Sequence, residues 1–143
     1  MNPKRLLLAI VAAFVAIFVT DTLIHGLWMQ PVYKATMNLW RSEEEMTARL
    51  GWIYAGQLVA AVTFVLIWAK GFAATGCRKC AIRYGLCMGL FSQTHTLIAY
   101  AVEPYTVELV WKWLVSGVLQ GLILGLVVSL VYRPAAAPGN PVG

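Results

Sequence analysis

Charge is what this sequence has least of. Of its 143 residues only 12% are Asp, Glu, Lys or Arg, and aspartate occurs once, at position 21. A soluble domain carries about 25% charged residues. Half that share in a chain that is 60% hydrophobic excludes an ordinary water-exposed surface and points to a multi-spanning membrane protein. Histidine is confined to His25 and His95, and cysteine to Cys77, Cys80 and Cys87. An odd number of cysteines without framework spacing argues against a disulfide scaffold. The C-x-x-C pair formed by Cys77 and Cys80 has no histidine on its side of the membrane to complete a zinc site. It also lacks the βαβ context of a redox motif, so three free thiols in a reducing cytoplasm are expected. No small-x-small cleavage site follows the first apolar run, so that run reads as a retained span rather than a signal peptide. The net charge of +5 does not indicate nucleic acid. The basic residues sit in short loops between apolar runs, where they set topology.

What the chain does have is four such runs, at about 6–28, 50–69, 82–102 and 107–132. At about 1.5 Å per residue each can cross a hydrocarbon layer of roughly 30 Å. Only a helix keeps every backbone group paired there without neighbouring strands. Short connections make neighbours antiparallel, so the expected fold is an all-α, up-down bundle of four transmembrane helices forming one domain, 1–133. The proline-rich stretch 134–143 has no apolar face and is expected to be a disordered cytoplasmic tail. Lys4, Arg5, Lys70, Arg78, Lys79, Arg83 and Arg133 fall on one side of such a bundle, with no acid among them. Glu43, Glu44, Glu45, Glu103 and Glu108 fall on the other. The asymmetry puts both termini in the cytoplasm and the protein in the inner membrane.

The first outer connection, 29–49, is too long for a bare turn. Pro31 can open a short helix lying on the membrane surface, with Tyr33 and Trp40 at the headgroup boundary. Ser42 followed by Glu45 has capping-box spacing, which predicts a helix starting at Glu43 and running straight into the second span. Small residues recur at Gly85 and Gly89 in the third span and at Gly117, Gly121 and Gly125 in the fourth, a glycine zipper spacing. Such spacing lets helix backbones approach closely. Either the third and fourth helices pack on each other, which is the favoured reading, or the glycines form a face for self-association.

The few polar residues inside the spans share one half of the bilayer. Counting at 1.5 Å per residue, Asp21 lies about 10 Å below the outer surface and His95 about 12 Å. His25, Gln57, Lys112 and, further in, Gln120 lie in that half too. Asp21 and His25, four residues apart, share a helix face. Three kinds of function compete for these residues. One is a hydrogen-bonded network fixing which helix faces touch, with Asp21 paired to His95 or Lys112 and completed by Gln57. A second is a metal or haem centre using Asp21, His25 and His95. The third is a small oligomeric carrier or proton-linked device in which Asp21 titrates, though neither an internal repeat nor matching broken helices is evident.

The stretch DTLIHGLW from Asp21 to Trp28, then Pro31-Val-Tyr33 and Leu39-Trp40-Arg41, resembles a group of small, uncharacterised four-pass bacterial integral membrane proteins. The resemblance implies the four-span layout and carries no activity, cofactor or catalytic residue. The sequence thus leads to a non-enzymatic structural or accessory membrane component with no expected cofactor. Its surroundings would be the lipid bilayer and another membrane protein or a second copy of itself.

Overall fold

Every element that forms is helical, as the apolar runs require. The computed structural model describes residues 2–73 and 77–132, and among them there is no strand. Helix α1 spans Pro3–Leu23, where Asn2 caps the start by accepting from the Lys4 and Arg5 amides and Pro3 occupies the first turn. It continues into a π-helical turn, Ile24–Trp28, closed by the Met29 amide on the Ile24 carbonyl at 2.8 Å. Helices α2 (Gln30–Ala35) and α3 (Glu43–Thr47) follow, then α4 (Leu50–Gly71). After these come α5 (Arg78–Ser92), α6 (Thr94–Val102) and α7 (Val107–Val131).

Three of these stretches are long and apolar enough to cross a membrane: Pro3–Trp28, Leu50–Gly71 and Val107–Val131. Their outward faces carry large apolar side chains such as Leu7, Val11, Val59 and Leu130, each more than half exposed. In water such a surface would be an aggregation site; in lipid it is the expected exterior.

Two sequence expectations need correction. The third run, expected as one helix over 82–102, breaks at Gln93 into α5 of 15 residues and α6 of 9. The cause is the polar segment SQTHT, whose hydroxyls compete for backbone carbonyls. Ser92 Oγ donates to the Gly89 carbonyl at 2.7 Å and Thr94 Oγ1 to the Phe91 carbonyl at 2.8 Å, whereas Thr96 Oγ1 goes to the side-chain Oε1 of Gln93 at 2.9 Å. The second correction concerns the helix from Glu43. Ser42 does accept from the Glu45 amide at 3.3 Å, but α3 stops at Thr47. Arg49, at φ −113° and ψ 8°, separates it from α4. The expected tail, 134–143, lies outside the described residues.

Packing is closest between α5 and α7. A Cβ on Gly121 would lie 2.8 Å from the Gly89 Cα, and one on Gly125 would lie 3.2 Å from the Gly85 Cα. Gly117 faces the Gln93 side chain. These glycines therefore meet within the chain, where a methyl group would have no room. Where α1 begins, Ala9, Ala13, Ala61 and Ala81 make a core with Val65, Trp68, Tyr84 and Val128. Residue pairings across that core and at Asp21 run α1 antiparallel to both α4 and α7.

Candidate functional site

Asp21 lies on the last turn of α1, just ahead of the π turn. Its Oδ2 accepts from Gln57 Nε2 on α4 at 2.7 Å, and its Oδ1 accepts from Gln120 Nε2 on α7 at 2.7 Å. Gln120 Nε2 also donates to Thr20 Oγ1 at 2.8 Å, while Thr20 gives its own hydrogen to the Ala16 carbonyl at 2.7 Å. A carboxylate can only accept, so both glutamines must turn their amide hydrogens toward it. One aspartate thereby ties three helices together. Such charge-assisted bonds are the strong ones, more so at low dielectric.

The amide orientation has a consequence for Gln57. With Nε2 on Asp21, its Oε1 points away, is buried and has no hydrogen-bond partner, on a residue only 8% exposed. Asp21, for its part, has no Lys, Arg or His within ion-pair distance among the described residues. The sequence expectation that it pairs with His95 or Lys112 is therefore corrected. Lys112 Nζ lies 2.8 Å from Glu108 Oε1, one helical turn away, and 5.9 Å from the centre of the Trp28 ring. The His95 side chain, on α6, makes no hydrogen bond among the described residues.

Asp21 forms part of the wall of two cavities. The first, about 310 Å³, is bounded by Asp21, His25, Gln93, His95, Tyr105 and Trp113 among others. The second, about 420 Å³, lies among α1, α4, α5 and α7, with Asp21, Gln57, Phe64, Met88, Phe91 and Leu124 in its wall. Gln120 and Gly117 also border both. The Gln93 break sits beside the first cavity, whose wall includes the Gln93 side chain. The π turn carries His25 there as well, a kind of irregularity that often accompanies functional sites.

Above the first cavity stands an aromatic cluster. His25 Nδ1 and Tyr33 Oη are 2.6 Å apart, and Trp113 Nε1 donates to the same Oη at 3.0 Å. An indole N–H can only donate, so the Tyr33 proton is free to go to His25 Nδ1 or to Met29 Sδ at 3.6 Å. Burial pushes the Tyr33 hydroxyl up from its ordinary range; the Trp113 bond opposes this and the Asp21 charge adds to it. Trp40 stacks on Tyr105 at 6.1 Å and meets Trp113 edge-on at 6.0 Å. Its own N–H reaches Thr36 Oγ1 at 3.0 Å.

Among the described residues no three His, Cys, Asp or Glu side chains form a metal-holding group, so Asp21, His25 and His95 share a cavity wall without making a ligand set. At the opposite end, Cys77 Sγ caps α5 by accepting from the Cys80 amide at 3.3 Å. Its thiol is held below the ordinary range, first by a hydrogen bond with the Cys80 side chain and then by the Cys80 amide.

Sequence reasoning overlooked Thr20, Tyr33, Gln93 and Trp113 as parts of this site. Thr20 is adjacent to Asp21, and Gln93 lies within the readable SQTHT segment. Nothing local marks Trp113 as a partner of Tyr33, 80 residues away. No family model, curated protein or solved structure matches this chain.

Proposed function

We propose that the chain is a four-crossing integral membrane protein of the inner membrane, with both termini cytoplasmic. In this reading it acts as a non-enzymatic accessory component, built around the Asp21 knot. The observation that carries it is the pair of 2.7 Å bonds from Gln57 and Gln120 to one carboxylate. Burying an aspartate is costly, and joining three helices through it defines which faces meet. Helices α5 and α6 would make the remaining crossing together. From Arg78 to Val102 they extend about 37 Å if nearly collinear, and the side-chain bonds around Gln93 satisfy the interrupted turn. Helix α2 and the ring cluster of Tyr33, Trp40 and Tyr105 would lie at the outer headgroup boundary.

Topology is tested by labelling single cysteines in a cysteine-free background. Glu44→Cys should react with an impermeant reagent from outside and Arg78→Cys only after the membrane is opened; the reverse pattern overturns the orientation. The accessory role is tested by purification from native membranes in mild detergent. A defined partner at fixed stoichiometry is expected, and an isolated monomer overturns that role.

A second reading, a proton-linked carrier, is favoured by one observation. Asp21 stands between two cavities, with irregular backbone at the π turn and at Gln93. Transporters place broken helices at their sites in this way. In proteoliposomes enclosing a pH-sensitive dye, proton movement abolished by Asp21→Asn would establish it; no movement above empty vesicles would remove it.

A further inference from the structure

We propose that the 420 Å³ cavity among α1, α4, α5 and α7 binds an organic ammonium ion carrying an apolar body. The ammonium N–H groups go to the Asp21 carboxylate. The apolar body lies against Ile17, Phe64, Met88, Phe91 and Leu124. The inference needs the cavity alone and holds whether the chain crosses the membrane three times or four.

The first argument is a count of donors and acceptors. Gln120 spends its amide hydrogens on Asp21 and Thr20, and Thr20 spends its hydroxyl hydrogen on the Ala16 carbonyl. Gln57 must face Asp21 with its NH2 group, which drives its Oε1 the other way. That oxygen is sealed inside the protein without a partner, so of this pair it is the Asp21 carboxylate that a ligand in the cavity can meet. A buried polar atom left unpaired is costly. Each carboxylate oxygen also retains a lone pair beyond the one its glutamine fills. The polar part of the wall thus has acceptors to spare and calls for a donor.

The second argument is charge. Asp21 is neutralised by no cation of the described chain, because Lys112 is bound to Glu108 and His25 turns Nδ1 to Tyr33. Two amide dipoles soften an anion without cancelling it. A donor that is also a cation answers both deficits, and charge-assisted hydrogen bonds are the stronger kind.

The third argument is shape. About 420 Å³ falls within the range of small-molecule sites, which are mostly apolar with a few placed polar groups. Without a cluster of three ionisable ligands, a bare metal ion is poorly served. An amine with a hydrocarbon portion matches the whole cavity. A quaternary ammonium matches it less well, because it brings charge without hydrogens.

The experiment uses the full chain in nanodiscs of uncharged lipid, with protein-free nanodiscs subtracted. Four probes are titrated: n-octylammonium, n-octanol, n-octyltrimethylammonium and methylammonium. Saturable binding of n-octylammonium is expected, at least tenfold tighter than the other three. Asp21→Asn should weaken it tenfold or more. Ala60→Trp, from an exposed position on the cavity wall, should fill the space and abolish binding while the melting temperature stays at the wild-type value. If Asp21→Asn does not fold, the Ala60→Trp result decides. Equal binding of the three octyl probes shows partitioning into lipid and overturns the proposal, as does undiminished n-octylammonium binding by Ala60→Trp.

Discussion

At the end of the molecule where α1 begins, the helices close on one another through alanines and rings. Trp68 is 2% exposed, its N–H lies 3.4 Å from the Tyr132 carbonyl, and Tyr84 Oη donates to the Phe64 carbonyl at 2.5 Å. The Phe64 and Tyr84 rings lie 4.6 Å apart, and Tyr84 also meets Trp68 at 5.6 Å. At the Asp21 end the same helical stretches diverge: α1 changes to a π turn, the third run breaks, and two cavities adjoin a carboxylate. Lipid offers little hydrophobic drive between helices, so fit and hydrogen bonds must hold them. One end is held by fit. The other combines a smaller packed core of Met29, Val32 and Leu109 with three polar side chains that join the helices, and leaves space beside them.

Substitutions should break this contrast in graded fashion. The largest effect is expected from Trp68→Ala, which opens a hole in the closed end and removes a hydrogen bond. Thermal unfolding in detergent should show a loss on the order of 3 kcal/mol. Asp21→Ala should cost less, about 1–3 kcal/mol, by leaving the Gln57 and Gln120 amides without their acceptor. Unchanged stability in that variant would falsify the knot. A double-mutant cycle between Asp21→Ala and Gln120→Ala sharpens the point, since a coupling near zero would mean the bond contributes nothing.

The smallest effect concerns Tyr33, whose folded hydroxyl titrates above its unfolded value because it is buried. The folded state therefore holds a proton that the unfolded state releases, and stability falls as the pH rises past about 10. Below that pH the contribution is fully present. Tyr33→Phe should flatten the alkaline limb of a stability–pH curve, and an unaltered limb would assign the loss to another group.

Much of this contrast could be read from residue order, but only along the bilayer normal. The rise per residue puts Asp21, Gln57 and Gln120 in the same half, and the structure joins them. Which way each side chain faces depends on the rotation of helices 36 and 99 residues apart in sequence, and periodicity says nothing about that. Depth alone offers Lys112 to Asp21, yet Glu108, at the favourable spacing of four, is the partner it takes. The break at Gln93 had a readable cause in SQTHT, masked by the apolar residues on both sides. The π turn has no comparable signal, since Gly26 alone does not demand it. Ser42 is the opposite case, a helix start whose chemistry is entirely local.

The backbone-to-backbone meeting of α5 and α7 constrains how the molecule can breathe. Where glycine faces glycine there is no rotamer to flip and no methyl group to yield, so those two rods travel as one body. Any widening of the 420 Å³ cavity would therefore fall to α1 and α4 rather than to α5 and α7, and would strain the Asp21 bonds.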